Sequence, residues 1–224
     1  MSYFSRVTLK SQRLSPEKLA PLLAGDGYKE HQALWRLFAD KPEAERDFLF
    51  RKDDMFQGLR YFVVSQRQPS DLDGLWQIES KPYTPTIQQG QSLAFSLRAN
   101  PIVKRKGEDG KSRRHDVVMD AKHRHRQAKP DVPVNMPELV QAEGFQWLER
   151  RAERYGFSVN KASVCVESYD QHKSAKKDKR ISYSTLDMTG VVTVESPILF
   201  AQALMDGIGP AKAFGCGLML VRRA

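Results

Sequence analysis

Residues 135–169 read NMPELVQAEGFQWLERRAERYGFSVNKASVCVESY, and their order of signals decides the fold class. Asn135-Met-Pro-Glu138 has the form of a capping box with a proline at the helix start, so a helix opens there. Val140, Leu148, Ala152 and Tyr155 recur on one side of it, and Gly156 offers the left-handed conformation that closes a helix. Val159 to Tyr169 then changes to a β-rich composition, and Ile181 to Val194 repeats it, so the helix feeds two strands. Between them lies Lys173 to Arg180, which places a basic tip at or near the turn.

Ser92 to Leu97 predicts a strand before the helix. Ser196-Pro197 caps a last helix that Gly207 ends, and Gly217 to Val221 supplies a final strand. The order β-α-β-β-α-β is the ferredoxin-like arrangement shared with RNA-recognition modules. Toward the N-terminus, Ser5 to Lys10 predicts a strand and Ser15-Pro16 a helix start, interrupted at Gly25 and Gly27. A helical spacing resumes at His31 with Leu34, Leu37 and Phe38, until Asp40 and Pro42 stop it. Asp47 to Phe50 and Leu59 to Gln66 follow as strands, giving β-α-β-β, a degenerate copy of the same unit. The expectation is an α+β chain of two tandem ferredoxin-like domains, residues 1–85 and 91–224, with the linker around Pro82 to Gly90.

Charge is concentrated. The chain carries +9 at neutral pH over 224 residues, and Lys104 to Lys129 alone has ten Lys or Arg against four acids, a net of +6. Lys173 to Arg180 adds +4, which leaves the remaining chain nearly neutral. A solvated charge run is by itself only a soluble loop, but two such runs beside strand-like sequence favour a polyanionic partner. Lys173, Lys176, Lys177, Lys179 and Arg180 are the candidate phosphate contacts of the tip. No apolar run is long enough to span a membrane, and the first ten residues alternate as a strand does, so the expectation is a cytoplasmic chain without a membrane partner. Cys165 and Cys216 form no CxxC pair, which speaks against a disulfide framework or a thiolate zinc site.

Two segments can carry chemistry. Gly207-Ile-Gly-Pro-Ala-Lys-Ala-Phe-Gly-Cys-Gly217 follows a helix and precedes a strand, the reverse of a Walker A loop. A chain reversal is one use for it; the expected use is backbone that approaches an RNA phosphodiester at Gly209, Gly215 and Gly217, with Lys212 as counter-charge and Arg98 near the same path. Tyr28-Lys-Glu-His31 lies where a glycine-containing loop enters a helix, so hydroxyl and imidazole share one direction. His31 can exchange a proton near neutral pH, and RNA brings its own nucleophile, the 2′-OH, so no metal or other cofactor is required. A lone histidine at a helix start is also an ordinary packing residue. His115, His123 and His125 with Asp116 and Asp120 are weighed as metal ligands and set aside, because a dense run of Lys and Arg repels a divalent cation; a solvated loop facing RNA is the expectation for that segment. Asp53-Asp54 lacks the partners of a magnesium nuclease.

Four stretches in order carry a resemblance: Tyr28-x-x-His31-x-x-Leu34-Trp35-x-Leu37-Phe38, Arg46-Asp-Phe-Leu-Phe50, Leu97-Arg-Ala-Asn-Pro101 and the Gly207 to Gly217 loop. Together the chain resembles the CasE family, the type I-E CRISPR repeat endoribonucleases of the RAMP superfamily. The resemblance implies paired ferredoxin-like domains, a basic hairpin that enters the repeat stem, and precursor CRISPR RNA as substrate. It implies His31 as the catalytic histidine with Tyr28 beside it, and cleavage to a 2′,3′-cyclic phosphate and a 5′-OH. It further implies an enzyme that is monomeric when free, stays on the crRNA hairpin it has cut, and joins the other subunits of Cascade. The rival readings are a non-catalytic subunit that only caps an RNA hairpin, and a metal-dependent nuclease built on His115 to His125. In either of the RNA-handling readings, Lys104 to Lys129 touches RNA or a partner subunit, or stays disordered until bound.

Overall fold

The computed structural model describes residues 2–10, 12, 15–23, 27–38, 47–53, 56–107, 109–176 and 179–224. Expectations about Gly25, Asp40, Pro42, Arg46, Asp54 and Lys177 lie outside these residues.

Two antiparallel sheets organise the chain. The first runs β2-β3-β1-β4, with β1 Tyr3–Leu9, β2 Phe48–Lys52, β3 Arg60–Ser65 and β4 Trp76–Pro82, and with α1 Pro16–Leu23 and α2 Gly27–Trp35 between β1 and β2. The second runs β10-β5-β9-β8, with β5 Ser92–Ala99, β8 Phe157–Lys176, β9 Lys179–Val194 and β10 Met219–Arg223. Both have the strand order of the ferredoxin-like fold. The sequence reading of the first unit stopped at three strands. β4 is the correction, because it pairs with β1 along its whole length, from Tyr3↔Pro82 to Leu9↔Trp76. Its outward positions are so polar that only Trp76 and Ile78 mark its inner face.

The second unit holds α4 Met136–Ala152 and α5 Pro197–Asp206 against one face of its sheet. Asn135 accepts from the Glu138 amide at 3.4 Å and its own amide donates to the Glu138 carboxylate at 3.0 Å, a reciprocal cap. Leu148 and Ala152 are buried, and Val140 and Tyr155 border the same core. Gly144 allows α4 to lie close on the sheet, since a Cβ there would stand 2.7 Å from Val166.

The largest departure from expectation is the first basic segment, which is folded instead of being a loop. β6 Ile102–Lys106 and β7 Ser112–Asp116 form a hairpin, and α3 Val117–Ala128 follows directly. Asp116 caps α3 by accepting from the Met119 amide at 2.8 Å. Val117, Val118 and Ala121 are buried, so three small apolar positions within a charged run are enough to dock the helix. Arg105 and Arg124 both reach the Asp120 carboxylate, which offsets part of the local positive charge.

A small third cluster joins the two sheets: Leu49, Val64 and Leu218, bordered by Phe4, Phe62, Tyr83, Met205 and Leu220. No helix among the described residues is long and apolar enough to cross a membrane.

Candidate active site and RNA interface

At Gly27, the first residue of α2, the chain passes against the second unit. A Cβ at Gly27 would lie 2.9 Å from the Tyr183 hydroxyl on β9 and 3.1 Å from the Phe214 ring in the glycine-rich loop. One turn on, the half-buried ring of His31 lies on an aromatic bed, 5.8 Å from Phe48 and 6.1 Å from Phe50 in near-parallel planes, with the edge of Trp35 at 5.5 Å. Tyr28, one turn earlier, accepts from the Gln32 amide at 3.4 Å at the surface.

The glycine-rich loop closes over this bed. Gly215 has φ +75°, and a Cβ there would meet the Phe50 ring at 3.3 Å, so a left-handed turn and a close approach coincide at one residue. Gly209 lies over the Trp147 indole, and the Gly217 amide donates to the Arg98 carbonyl at 2.8 Å. The loop therefore uses its glycines to fold against protein, and the same turns carry Lys212 to the rim of a 560 Å³ crevice between the units, shared with Asp47, Phe48, Gln202 and Asp206.

Arg98 has a task that the sequence did not suggest. Its guanidinium grips Asp187 with two hydrogen bonds of 2.9 and 2.7 Å, Arg51 from β2 stands 3.8 Å from the same carboxylate, and Ser168 donates to it at 3.1 Å. Asp187 thus joins the first unit to the second. Beside it, Glu30 meets Lys52 at 3.3 Å. Burial pushes the Glu30 carboxyl above the usual carboxylate range, against the lowering effect of Lys52 and Arg98. Tyr61 is held far above the usual phenol value by burial and by the Glu30 charge.

The β8–β9 hairpin runs past the sheet. β5 pairs with β9 only as far as Leu186, whereas β8 and β9 stay paired from Asp170↔Thr185 to Lys176↔Lys179, an extension of roughly 20 to 25 Å at ~3.4 Å per residue. Lys173 is exposed on it, and the backbones of Lys176, Lys179 and Arg180 form its end. At its root an aromatic column runs from His172 through Tyr183, at 4.8 Å, to Phe214, at 4.6 Å. His172 and Tyr183 were missed by the sequence reading. They are cross-strand partners, and only the register of the hairpin, Lys173↔Ser182 through Lys176↔Lys179, brings them together.

His172 meets the Thr185 hydroxyl at 2.8 Å, and burial holds its pKa below the ordinary histidine value, with Asp170 and Asp187 opposing and Arg98 reinforcing that shift. The unfolded chain therefore binds the proton first, and His172 costs stability as pH falls below about 6.5 toward its lower folded value. Thermal melts from pH 7.5 to 5 are expected to show wild type losing more stability than His172→Phe over that window. Equal slopes would contradict the burial assigned to this ring.

His115 lies on β7 while His123 and His125 lie on α3, where the His125 ring meets the Val132 carbonyl at 3.2 Å. Among the described residues no three His, Cys, Asp or Glu side chains group as an ion site. Cys165 is exposed and Cys216 buried, and burial pushes the Cys216 thiol up to about 12.

A groove of about 400 Å³ lies between β7 (Arg114, His115, Asp116), the β8–β9 hairpin (Gln171, Ser182, Tyr183, Ser184) and the loop at Pro210-Ala211. Fold and groove together define a tandem ferredoxin-like protein whose two units meet at a polar junction.

The chain belongs to the CRISPR-associated protein family, whose model matches residues 2–223. It is 30% identical over 208 residues to the CRISPR system Cascade subunit CasE of Escherichia coli K12, covering 92% of this chain and 96% of that one. It is 26% identical over 211 residues to the CRISPR-associated endoribonuclease Cse3 of Thermus thermophilus, covering 87% and 89%. Among solved structures, Thermus thermophilus Cse3 bound to an RNA representing a pre-cleavage complex superposes with a TM-score of 0.73 at 23% identity, over 99% of this chain and 98% of that one. Cas6e of Escherichia coli K-12 superposes with a TM-score of 0.61 at 23% identity, over 99% and 100%.

Proposed function

We propose that the protein is the endoribonuclease that binds the repeat hairpin of precursor CRISPR RNA, cuts it once without a metal ion, and remains on the product as a Cascade subunit in the cytoplasm. The observation that carries this reading is the meeting at one junction of the His31 helix, the glycine-rich loop and the root of a basic hairpin. The two relatives, named as a Cascade subunit and an endoribonuclease, support it over nearly the full chain.

In this reading the RNA 2′-oxygen attacks the adjacent phosphorus and the bond from phosphorus to the 5′-oxygen breaks. The 2′-OH gives up its proton, the leaving 5′-oxygen gains one, and a 2′,3′-cyclic phosphate and a 5′-OH result. His31 is the proton-transfer group, held in orientation by Phe48 and Phe50, with Tyr28 one helical turn away. The basic tip at Lys173, Lys176, Lys177, Lys179 and Arg180 supplies phosphate contacts, with Lys212 at the crevice rim as another. Arg98 acts at the edge of the RNA path by holding Asp187.

Incubating purified protein with a repeat hairpin in EDTA is expected to give one cut, with a product that phosphatase cannot open until the cyclic phosphate is hydrolysed. Binding without a cut would identify a hairpin-capping subunit instead, and activity abolished by EDTA would point to a metal-dependent nuclease.

Contact between Gly27 and Tyr183 makes a second expectation. Gly27→Ala drives a methyl group into the Tyr183 hydroxyl and displaces the start of the His31 helix. Single-turnover cleavage is expected to slow by about tenfold, since misplacing a catalytic group by a fraction of an ångström has effects of this order. Hairpin affinity, measured by filter binding, should move less than threefold.

A further inference from the structure

The β6–β7 hairpin has two faces of different character, and the difference points to a ligand. Alternate residues of a strand face opposite sides, and the register Lys104↔Arg114, Lys106↔Ser112, Ile102↔Asp116 puts these six on one face. Val103, Arg105, Arg113 and His115 occupy the other. On that second face Arg105 pairs with Asp120 at 2.7 Å, Arg113 pairs with Asp109 at 2.8 Å, and Val103 borders the core. On the first face Lys104, Lys106 and Arg114 are exposed, and among the described residues no carboxylate forms an ion pair with them. Lys104 and Arg114 stand directly opposite each other, a like-charge pair that destabilises a hairpin in the free protein.

Ile102, Arg114 and Asp116 of that face border the groove, and Lys104 and Lys106 extend the same face toward the hairpin's far end. Its base is tied to the second hairpin by the Ser184 hydroxyl bonded to the Asp116 carboxylate, and by the Asn100 amide bonded to the Ser184 carbonyl at 2.7 Å. Both basic hairpins leave one root, with Arg114, Gln171 and Tyr183 lining the space between them. Residues two apart on a strand face lie about 6.8 Å from each other. Lys104 and Lys106 therefore form a short line of point charges, with Arg114 adding a planar fork, a pattern suited to successive phosphates of one strand.

We infer that Lys104, Lys106 and Arg114 form a second RNA-backbone contact surface, gripping the sugar-phosphate strand from the side of the groove opposite the β8–β9 tip. This deepens the reading of the chain as a repeat-hairpin binder and rests on it. The ion-paired cations Arg105 and Arg113 hold the hairpin in shape and contribute little to the ligand.

The test uses the full chain and a repeat hairpin RNA carrying a 2′-deoxy sugar at the scissile position, so that binding is read without cleavage. Affinity is measured from 50 to 300 mM salt for wild type, for the triple variant Lys104→Ser/Lys106→Ser/Arg114→Ser, for Arg114→Ser alone, and for Arg113→Ser. Each phosphate contact contributes a log-log slope of about 0.7 to 0.9. The triple variant is expected to lose about two units of slope and at least tenfold in affinity, Arg114→Ser about one third of that slope, and Arg113→Ser almost none. The triple variant should also melt no lower than wild type, because a like-charge pair has been removed. Unchanged slope and affinity in the triple variant, with wild type binding normally, overturn the surface while leaving the RNA reading intact. The same result coupled to failure to join the other Cascade subunits would make this face a protein dock and overturns it equally. A wild-type protein that binds no repeat hairpin would remove the RNA reading itself.

Discussion

Replacing His31 with alanine is expected to slow single-turnover cleavage of the repeat hairpin by on the order of 10² to 10⁴, about 3 to 5 kcal/mol of barrier. Binding should remain within threefold of wild type, because the ring rests on Phe48, Phe50 and Trp35 and the proposed phosphate contacts lie elsewhere. The loss of one proton-transfer group leaves the positioning of the 2′-OH largely in place, which is why some cleavage should survive. A phenylalanine at the same position refills the aromatic bed without restoring proton transfer, so His31→Phe should be as slow as His31→Ala. If His31→Phe cuts at the parental rate, the imidazole has only a packing role.

Asp187→Ala is expected to lower stability by about 3 kcal/mol, the lower end of what breaking a buried ion pair costs. The lower end applies because the carboxylate and its partners keep between 12% and 22% of their side-chain surface exposed. For a chain of this size the melting temperature should fall by roughly 6 to 12 °C. The substitution takes one shared acceptor from Arg51, Arg98 and Ser168 together, so a double-mutant cycle between Asp187 and Arg51 should give a coupling energy of about 0.5 kcal/mol or more. Additive single effects would show that Arg51 contributes nothing to joining the units. Cleavage should suffer as well, since Glu30, next to His31, feels the charge of Arg98.

Much of the second unit was legible as sequence because its signals are local. The Asn135 cap, the apolar side of α4, the change of period after Gly156 and the Ser196-Pro197 start each depend on neighbours a few residues away. The first unit was harder. β4 shows only two apolar inner positions, and its place in the sheet follows from pairing with β1 some seventy residues earlier. Such pairing leaves no short-range pattern. The folded state of the first basic segment was hidden for a related reason. Val117, Val118 and Ala121 are too few to stand out among so many cations, yet burial against α4 and the core makes them sufficient.

The candidate site divides in the same way. His31, Tyr28, the glycine-rich loop and the basic tip could be singled out from residue type and spacing, because proton exchange, backbone freedom and positive charge are properties of the residues themselves. Asp187, His172, Tyr183 and the ion-paired state of Arg98 could not, since each is defined by a partner far along the chain.

Residue type and order were enough for the class of fold, for the sign and position of the charge, and for His31 as a candidate proton-transfer group. Which cations are neutralised by a carboxylate, and the convergence of α2, the glycine-rich loop and β9, came from three-dimensional contacts. Those outcomes depend on distances between residues remote in the chain, which local propensity and composition do not encode.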